Sequence, residues 1–164
     1  MSELEEILIG SSAASSPAVI LEGLPGGAAH WVVAGAPHTI YQELWHIAFW
    51  QQVTLDWIDH IETPFPDHAA AGFPTETDAA REDWEALRRR FLAASRQAAA
   101  AARDQSRLDS PVRCPSRPGS PVRVMTVRKQ LESLGAHNAY HLGRVVLLRQ
   151  LLGSWPPPSG GYSW

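Results

Sequence analysis

Apolar positions in this chain recur at intervals of three and four residues, the spacing of one face of an α-helix, and nowhere alternate as in a run of strands. Leu4, Ile7 and Leu8 share one face of a short first helix, ahead of the serine-rich SSAASS. A second short helix starts at Ser16-Pro17, with serine as N-cap and proline in the first helical position, and GLPGG stops it near Gly23. Thr39 followed by Gln42 forms a capping box and predicts a long helix from about Thr39 to Ile61. Glu43, His46, Trp50, Val53 and Trp57 make one stripe along it, with Ile40, Leu44, Ile47, Gln51 and Ile58 beside them, so it is buried from two sides. TPFPDHAAAGFP (63–74) reads as a loop. Thr75 caps a third helix whose acidic first turn, Glu76 and Asp78, suits the helix dipole. Its inward stripe thins from Trp84, Leu87 and Phe91 to Ala94, Ala98 and Ala101, which lets a neighbouring helix come close. A proline-rich connection, LDSPVRCPSRPGSP (108–121), leads to a last helix from about Val122 to Leu152. Val127, Leu131, Leu134, His141, Val145, Leu148 and Leu152 line its inner side, and Gly153 ends it. The sum is an all-α protein whose four main helices form a bundle, read as a single domain over 1–164. Short helices occupy 1–24, and an irregular tail, SWPPPSGGYSW, closes the chain within 153–164.

Composition narrows the chemistry. Seven tryptophans in 164 residues supply more apolar area than a solvated coil can hide, which excludes an intrinsically disordered chain. A single cysteine excludes an intramolecular disulfide and any cysteine-rich zinc ribbon. The net charge of −3 argues against a dedicated nucleic-acid binder. No apolar run reaches the length of a membrane span, and the start MSELEEILIG does not resemble a signal peptide, so no membrane association and a cytoplasmic location are expected. Against one cysteine stand seven histidines, so any metal chemistry falls to imidazole.

His137 and His141 lie four residues apart and project from one face of the last helix, sharing it with Leu134, Val145 and Leu148. His46 faces inward from the long helix. Three inward imidazoles on two helices can supply a facial site with positions left for water or substrate, where a metal acidifies a water or thiol or polarises a carbonyl. The competing reading is three core histidines satisfied by backbone carbonyls. In H-N-A-Y-H the glutamate of a zincin is replaced by Asn138, which disfavours that type of metalloprotease.

APHTIYQELWHIAFWQ together with HNAYHLGRVVLLRQLLGSWPPPSGG resembles the DinB-like (damage-inducible, YfiT-like) superfamily of bacterial four-helix-bundle metalloproteins. The resemblance implies an up-down-down-up bundle, usually a homodimer, binding zinc, nickel or a similar divalent ion, and assigns the ligand role to His46, His137 and His141. It does not imply one reaction. Relatives include thiol S-transferases that use bacillithiol or mycothiol and a mycothiol-dependent maleylpyruvate isomerase, and many others are described only as metal-dependent hydrolases. The expectation is therefore a divalent-metal enzyme acting on a small molecule, such as a low-molecular-weight thiol, as a thiol S-transferase or a hydrolase. The alternative is a non-catalytic, stress-related metal- or ligand-binding bundle. The family name records induction by damage and implies no nucleic-acid contact.

Other residues carry alternatives. Glu43, one turn before His46, is either an acceptor for a ligand's second ring nitrogen, or a proton shuttle, or a surface carboxylate beside Gln42. Trp50, one turn after His46, is the candidate pocket wall, while Trp45, Trp57 and Trp84 read as core. Asn138 and Tyr140 face away from the ligands, toward interhelix hydrogen bonds. His38 either sits near the site or, the stronger reading, is a loop residue at the helix start, and His30, His60 and His68 read as exposed. Cys114, between Arg113 and Arg117, reads as a free loop thiol. The basic stretch from Arg103 to Lys129 either meets an anionic substrate or partner or, the favoured reading, is a solvated loop beside the acidic N-terminus.

Overall fold

The structure is a computed structural model that describes residues 1–10, 13–117 and 119–160. Mostly helical, it runs α1 (Glu3–Ile9), α2 (Pro17–Ile20), α3 (Gly26–Ala29), α4 (Ile40–Ile58), α5 (Glu76–Arg81), α6 (Trp84–Arg103) and α7 (Val127–Leu151). An antiparallel hairpin, β1 (Pro111–Cys114) and β2 (Arg123–Thr126), separates α6 from α7.

Local chemistry sets most boundaries. The Thr39 side chain accepts from the Gln42 backbone N–H while the Gln42 side chain accepts from the Thr39 N–H, the reciprocal arrangement of a capping box. Ser16 caps α2 with Pro17 in its first turn. After α7, Gly153 takes a left-handed φ of 68° that a side chain would oppose.

The third helix of the sequence reading is two helices. Glu82 is extended, and Asp83 caps α6 by accepting from the Ala86 N–H at 2.7 Å. The Glu82 carbonyl released by the break accepts from the Tyr41 hydroxyl at 2.7 Å, which ties the break to α4. GLPGG is not only a stop, because α3 follows within it. Ile7 is 54% exposed, so α1 buries only Leu4 and Leu8 of the expected trio.

The proline-rich connection is also corrected, within a chain that is mostly helical as expected. Pairing of Val112 with Met125 and of Cys114 with Arg123 builds a hairpin where a loop was read, and delays the last helix to Val127, capped by Thr126. Pro111 is tolerated because it opens its strand. Val112 and Cys114 point inward, so Cys114 is a fully buried strand thiol, not a loop thiol. Burial pushes its pKa up, more than the Gln130 hydrogen bond and the Arg123 charge pull it down.

Two apolar clusters fill the interior. One gathers Leu44, Ile47, Leu87, Phe91, Val145 and Leu148 from α4, α6 and α7. The other gathers Leu4 and Leu8 of α1 over Ala94, Ala98 and Ala102 of α6, with Leu131 of α7. Alanines on α6 leave room for α1 there, and α1 meets α7 at Gly135, where a Cβ would come within 2.2 Å of Ile7 Cγ2. Between the clusters Gln51, Ser95 and Asn138 are buried and hydrogen-bonded to one another, with Asn138 Nδ2 donating to Gln51 Oε1 at 2.8 Å. The tail through residue 160 is irregular but anchored, since buried Arg149 donates to the carbonyls of Ile20 and Ser154. Residues 161–164 of the expected tail lie outside the described residues. No helix among the described residues is long and apolar enough to cross a membrane.

Candidate metal centre

α4 and α7 pack along their lengths, which brings the second turn of α4 against the middle of α7. His46, His137 and His141 meet there, each offering a ring nitrogen within 4.8 Å of the others. His46 and His141 are buried and His137 is partly buried.

Hydrogen bonds fix two of the rings. His46 Nδ1 lies 2.8 Å from the Gly72 carbonyl, an acceptor only, so this nitrogen carries the proton and Nε2 keeps its lone pair. Phe73 stacks on the same imidazole, with ring centroids 4.2 Å apart. His141 Nδ1 lies 2.6 Å from Glu43 Oε2, which likewise assigns the proton to Nδ1 and leaves Nε2 free. His137 Nε2 is 3.2 Å from His46 Nε2, so two imidazole nitrogens crowd one point. His137 Nδ1 is buried without a hydrogen-bond partner.

Burial disfavours the charged form of two of the rings, His137 and His46. Burial, reinforced by neighbouring histidines, lowers the His137 pKa to about 4. Burial also holds His46 below the usual histidine value, against the raising effect of the Gly72 carbonyl. Glu43 is fully buried, which removes the surface-carboxylate alternative. Burial pushes its carboxyl up, but the His141 hydrogen bond and the charges of Arg144, His141 and His38 together bring it below the usual carboxylate value. Arg144 Nη2 lies 2.9 Å and His38 Nδ1 3.3 Å from Glu43 Oε1.

A cavity of about 410 Å³ opens beside His46 and His137. Trp50, Trp57 and Phe65 form its aromatic wall, with Phe73 next to the His46 ring. His30, His60 and His68 are all exposed as expected; His68 lines the cavity and His30 stacks on Tyr41. Trp50 and Trp45 are half-buried, and Trp57 and Trp84 are buried. Asn138 turns to Gln51 as expected, while Tyr140 is 63% exposed, with its ring edge-on to His141.

Sequence reasoning missed three groups here and underrated His38. Arg144 follows His141 by three residues, one turn along the same face, and that spacing was available as a signal. His38, for which the place near the site was the less favoured reading, contacts Glu43 and stacks on Phe73. Phe73 and the Gly72 carbonyl come from a 3-10 turn, Ala69–Gly72, inside a segment read as loop; a backbone oxygen leaves no trace in side-chain patterning.

The model of the DinB superfamily matches residues 17–145, a span that holds all three histidines, Glu43 and Arg144. The match ends at Val145, so the tail part of the motif read from sequence lies outside it. No curated protein and no solved structure matches the chain.

Proposed function

Because the chain belongs to the DinB superfamily, we propose that His46, His137 and His141 hold a divalent metal ion, zinc or nickel, in an open site facing the aromatic cavity. The observation that carries this reading is the convergence of three ring nitrogens within 4.8 Å, two of them on rings already oriented through Nδ1. The donor set fits such an ion. Neutral imidazoles suit zinc, nickel, copper and iron, and His46 and His141, oriented through Nδ1, each present Nε2 as the atom that would hold such an ion. Glu43 and the Gly72 carbonyl then act as the groups that orient two of the rings.

Such an ion supplies Lewis acidity, lowering the pKa of a thiol or water that reaches it. The residues around it favour thiol S-transfer over hydrolysis as the reaction. Glu43 is spent on His141, His38 and Arg144, and no aspartate or glutamate lines the cavity among the described residues, so no carboxylate is free to take a proton from water. Thiol transfer needs no such base once the thiol is acidified. Trp50, Trp57 and Phe65 would pack the electrophile and exclude water from it. The same missing carboxylate supports a second reading, a non-catalytic, stress-related bundle that binds a metal or ligand. The four-helix up-down-down-up arrangement, a homodimer and action in the cytoplasm on a small-molecule substrate belong to the same proposal.

Turnover separates the two readings. Metal-loaded protein is to be screened with low-molecular-weight thiols and electrophiles, alongside ester and amide substrates. Thiol conjugation that disappears on chelation supports the transferase. Ester or amide cleavage alone reverses the ranking, and no turnover in either series removes the enzyme.

A further inference from the structure

The cavity beside His46 and His137 has a rim of one sign. Arg117 and Arg123, in the hairpin loop and at the start of β2, both line it and are both exposed. Neither is paired with a carboxylate among the described residues. Their neighbours are: Arg113 meets Glu62 at 2.6 Å and Arg128 meets Asp109 at 3.3 Å. In a chain of net charge −3, two unpaired arginines at the mouth of a cavity without carboxylates make a local positive field. Below them the wall is apolar, with Trp50, Trp57, Phe65 and Met125. The same two arginines and Phe65 also line an adjoining cavity of about 390 Å³, so both guanidiniums are reachable from solvent.

We propose that this cavity selects small organic anions, with an aromatic or aliphatic body against Trp50, Trp57 and Phe65 and a carboxylate held by Arg117 and Arg123. Guanidinium groups bind carboxylates through charge-assisted, often bidentate hydrogen bonds, and the apolar wall gives the body a dry surface. The inference rests on reading this cavity as the substrate site, but it needs no metal. A thiol or an electrophile bearing a carboxylate meets both requirements.

The test uses the full chain stripped of metal by a chelator and dialysed, so that a carboxylate has no ion to coordinate. 4-Phenylbutyrate, its neutral amide and 4-phenylbutylamine are titrated by calorimetry. The anion is expected to bind at least about fivefold more tightly than the amide at low salt, and the amine most weakly, with the preference shrinking at about 0.5 M salt. In an Arg117→Gln/Arg123→Gln variant, whose fold is checked by circular dichroism, the anion should fall to the affinity of the amide while the amide is unchanged. Equal affinities in the unaltered protein, a preference that survives the double variant, or no binding of any probe up to about 10 mM overturns the proposal. Metal content, measured separately by mass spectrometry, is independent of these outcomes, so a failure here leaves the three-histidine reading standing.

Discussion

Glu43 concentrates more of the site's electrostatics than any other single side chain. It is fully buried, and its two oxygens face His141, Arg144 and His38. A buried carboxylate in this position orients the His141 ring and raises its basicity toward a cation. Glu43→Gln keeps the shape and removes the charge, and divalent affinity is expected to fall about 10- to 100-fold in competition with a chromophoric chelator. Unchanged affinity, with the metal-free melting temperature also unchanged, would show that Glu43 serves neither the ligand nor the fold. At this scale the sequence was most informative where side chains carry the chemistry. Helical spacing put His137 and His141 on one face and His46 on a stripe with Glu43 and Trp50, because positions three and four apart share a face, while the ligand role came from the family resemblance and a surface position was the favoured reading for Glu43. Gly72 was not, since its contribution is a carbonyl placed by a short turn.

Elements follow the same division between local and long-range causes. Capping pairs such as Thr39–Gln42 and the break at Gly153 depend on residues adjacent in sequence, and the helix starts they predict stand in the structure. The break between α5 and α6 was also written locally, in the cap residue Asp83, but the continuing apolar stripe from Trp84 masked it. The hairpin was hidden for another reason. Each strand has four residues, too few for alternation to register, and its inward side chains find partners only after α6 and α7 are in place. The docking of α1 on α7 offers a sharp test at this level. Gly135→Ala gains helix propensity of up to about 1 kcal/mol, yet its Cβ would sit 2.2 Å from Ile7 Cγ2, an atom on a stiff β-branched side chain. The substitution should lower the urea midpoint in the natural background and raise it in an Ile7→Ala background. The same sign in both backgrounds would mean that α1 does not approach α7 as described.

For the whole molecule, His137 and His46 in a buried cluster tie stability to pH. The His137 pKa is about 4 in the folded chain, against an ordinary value of 6.5 that the unfolded chain is taken to have. Between these values the unfolded chain binds more protons, so stability is present above pH 6.5 and is lost as pH falls through about 4. His46, also lowered, acts in the same direction, and Glu43 adds a loss of the same sign below its own ordinary value of 4.5. Chelated protein should therefore show a urea midpoint that declines between pH 7 and pH 4.5, and a flat profile would contradict the burial of these rings. The family and the mostly helical character were legible in the chain, because they rest on motifs and periodicity. The basic stretch from Arg103 to Lys129 offered an anionic partner as its less favoured reading, but its place at the cavity was not legible, because Arg117 and Arg123 reach it only through the hairpin. The central claim, that the three histidines hold an ion, is decided by metal content. Protein purified without a histidine tag, equilibrated with zinc or nickel and desalted, should retain about one equivalent per chain and lose thermal stability on chelation, whereas a His46→Ala/His141→Ala variant should retain none. Less than about a tenth of an equivalent in the natural chain, with melting unchanged by chelation, would contradict it.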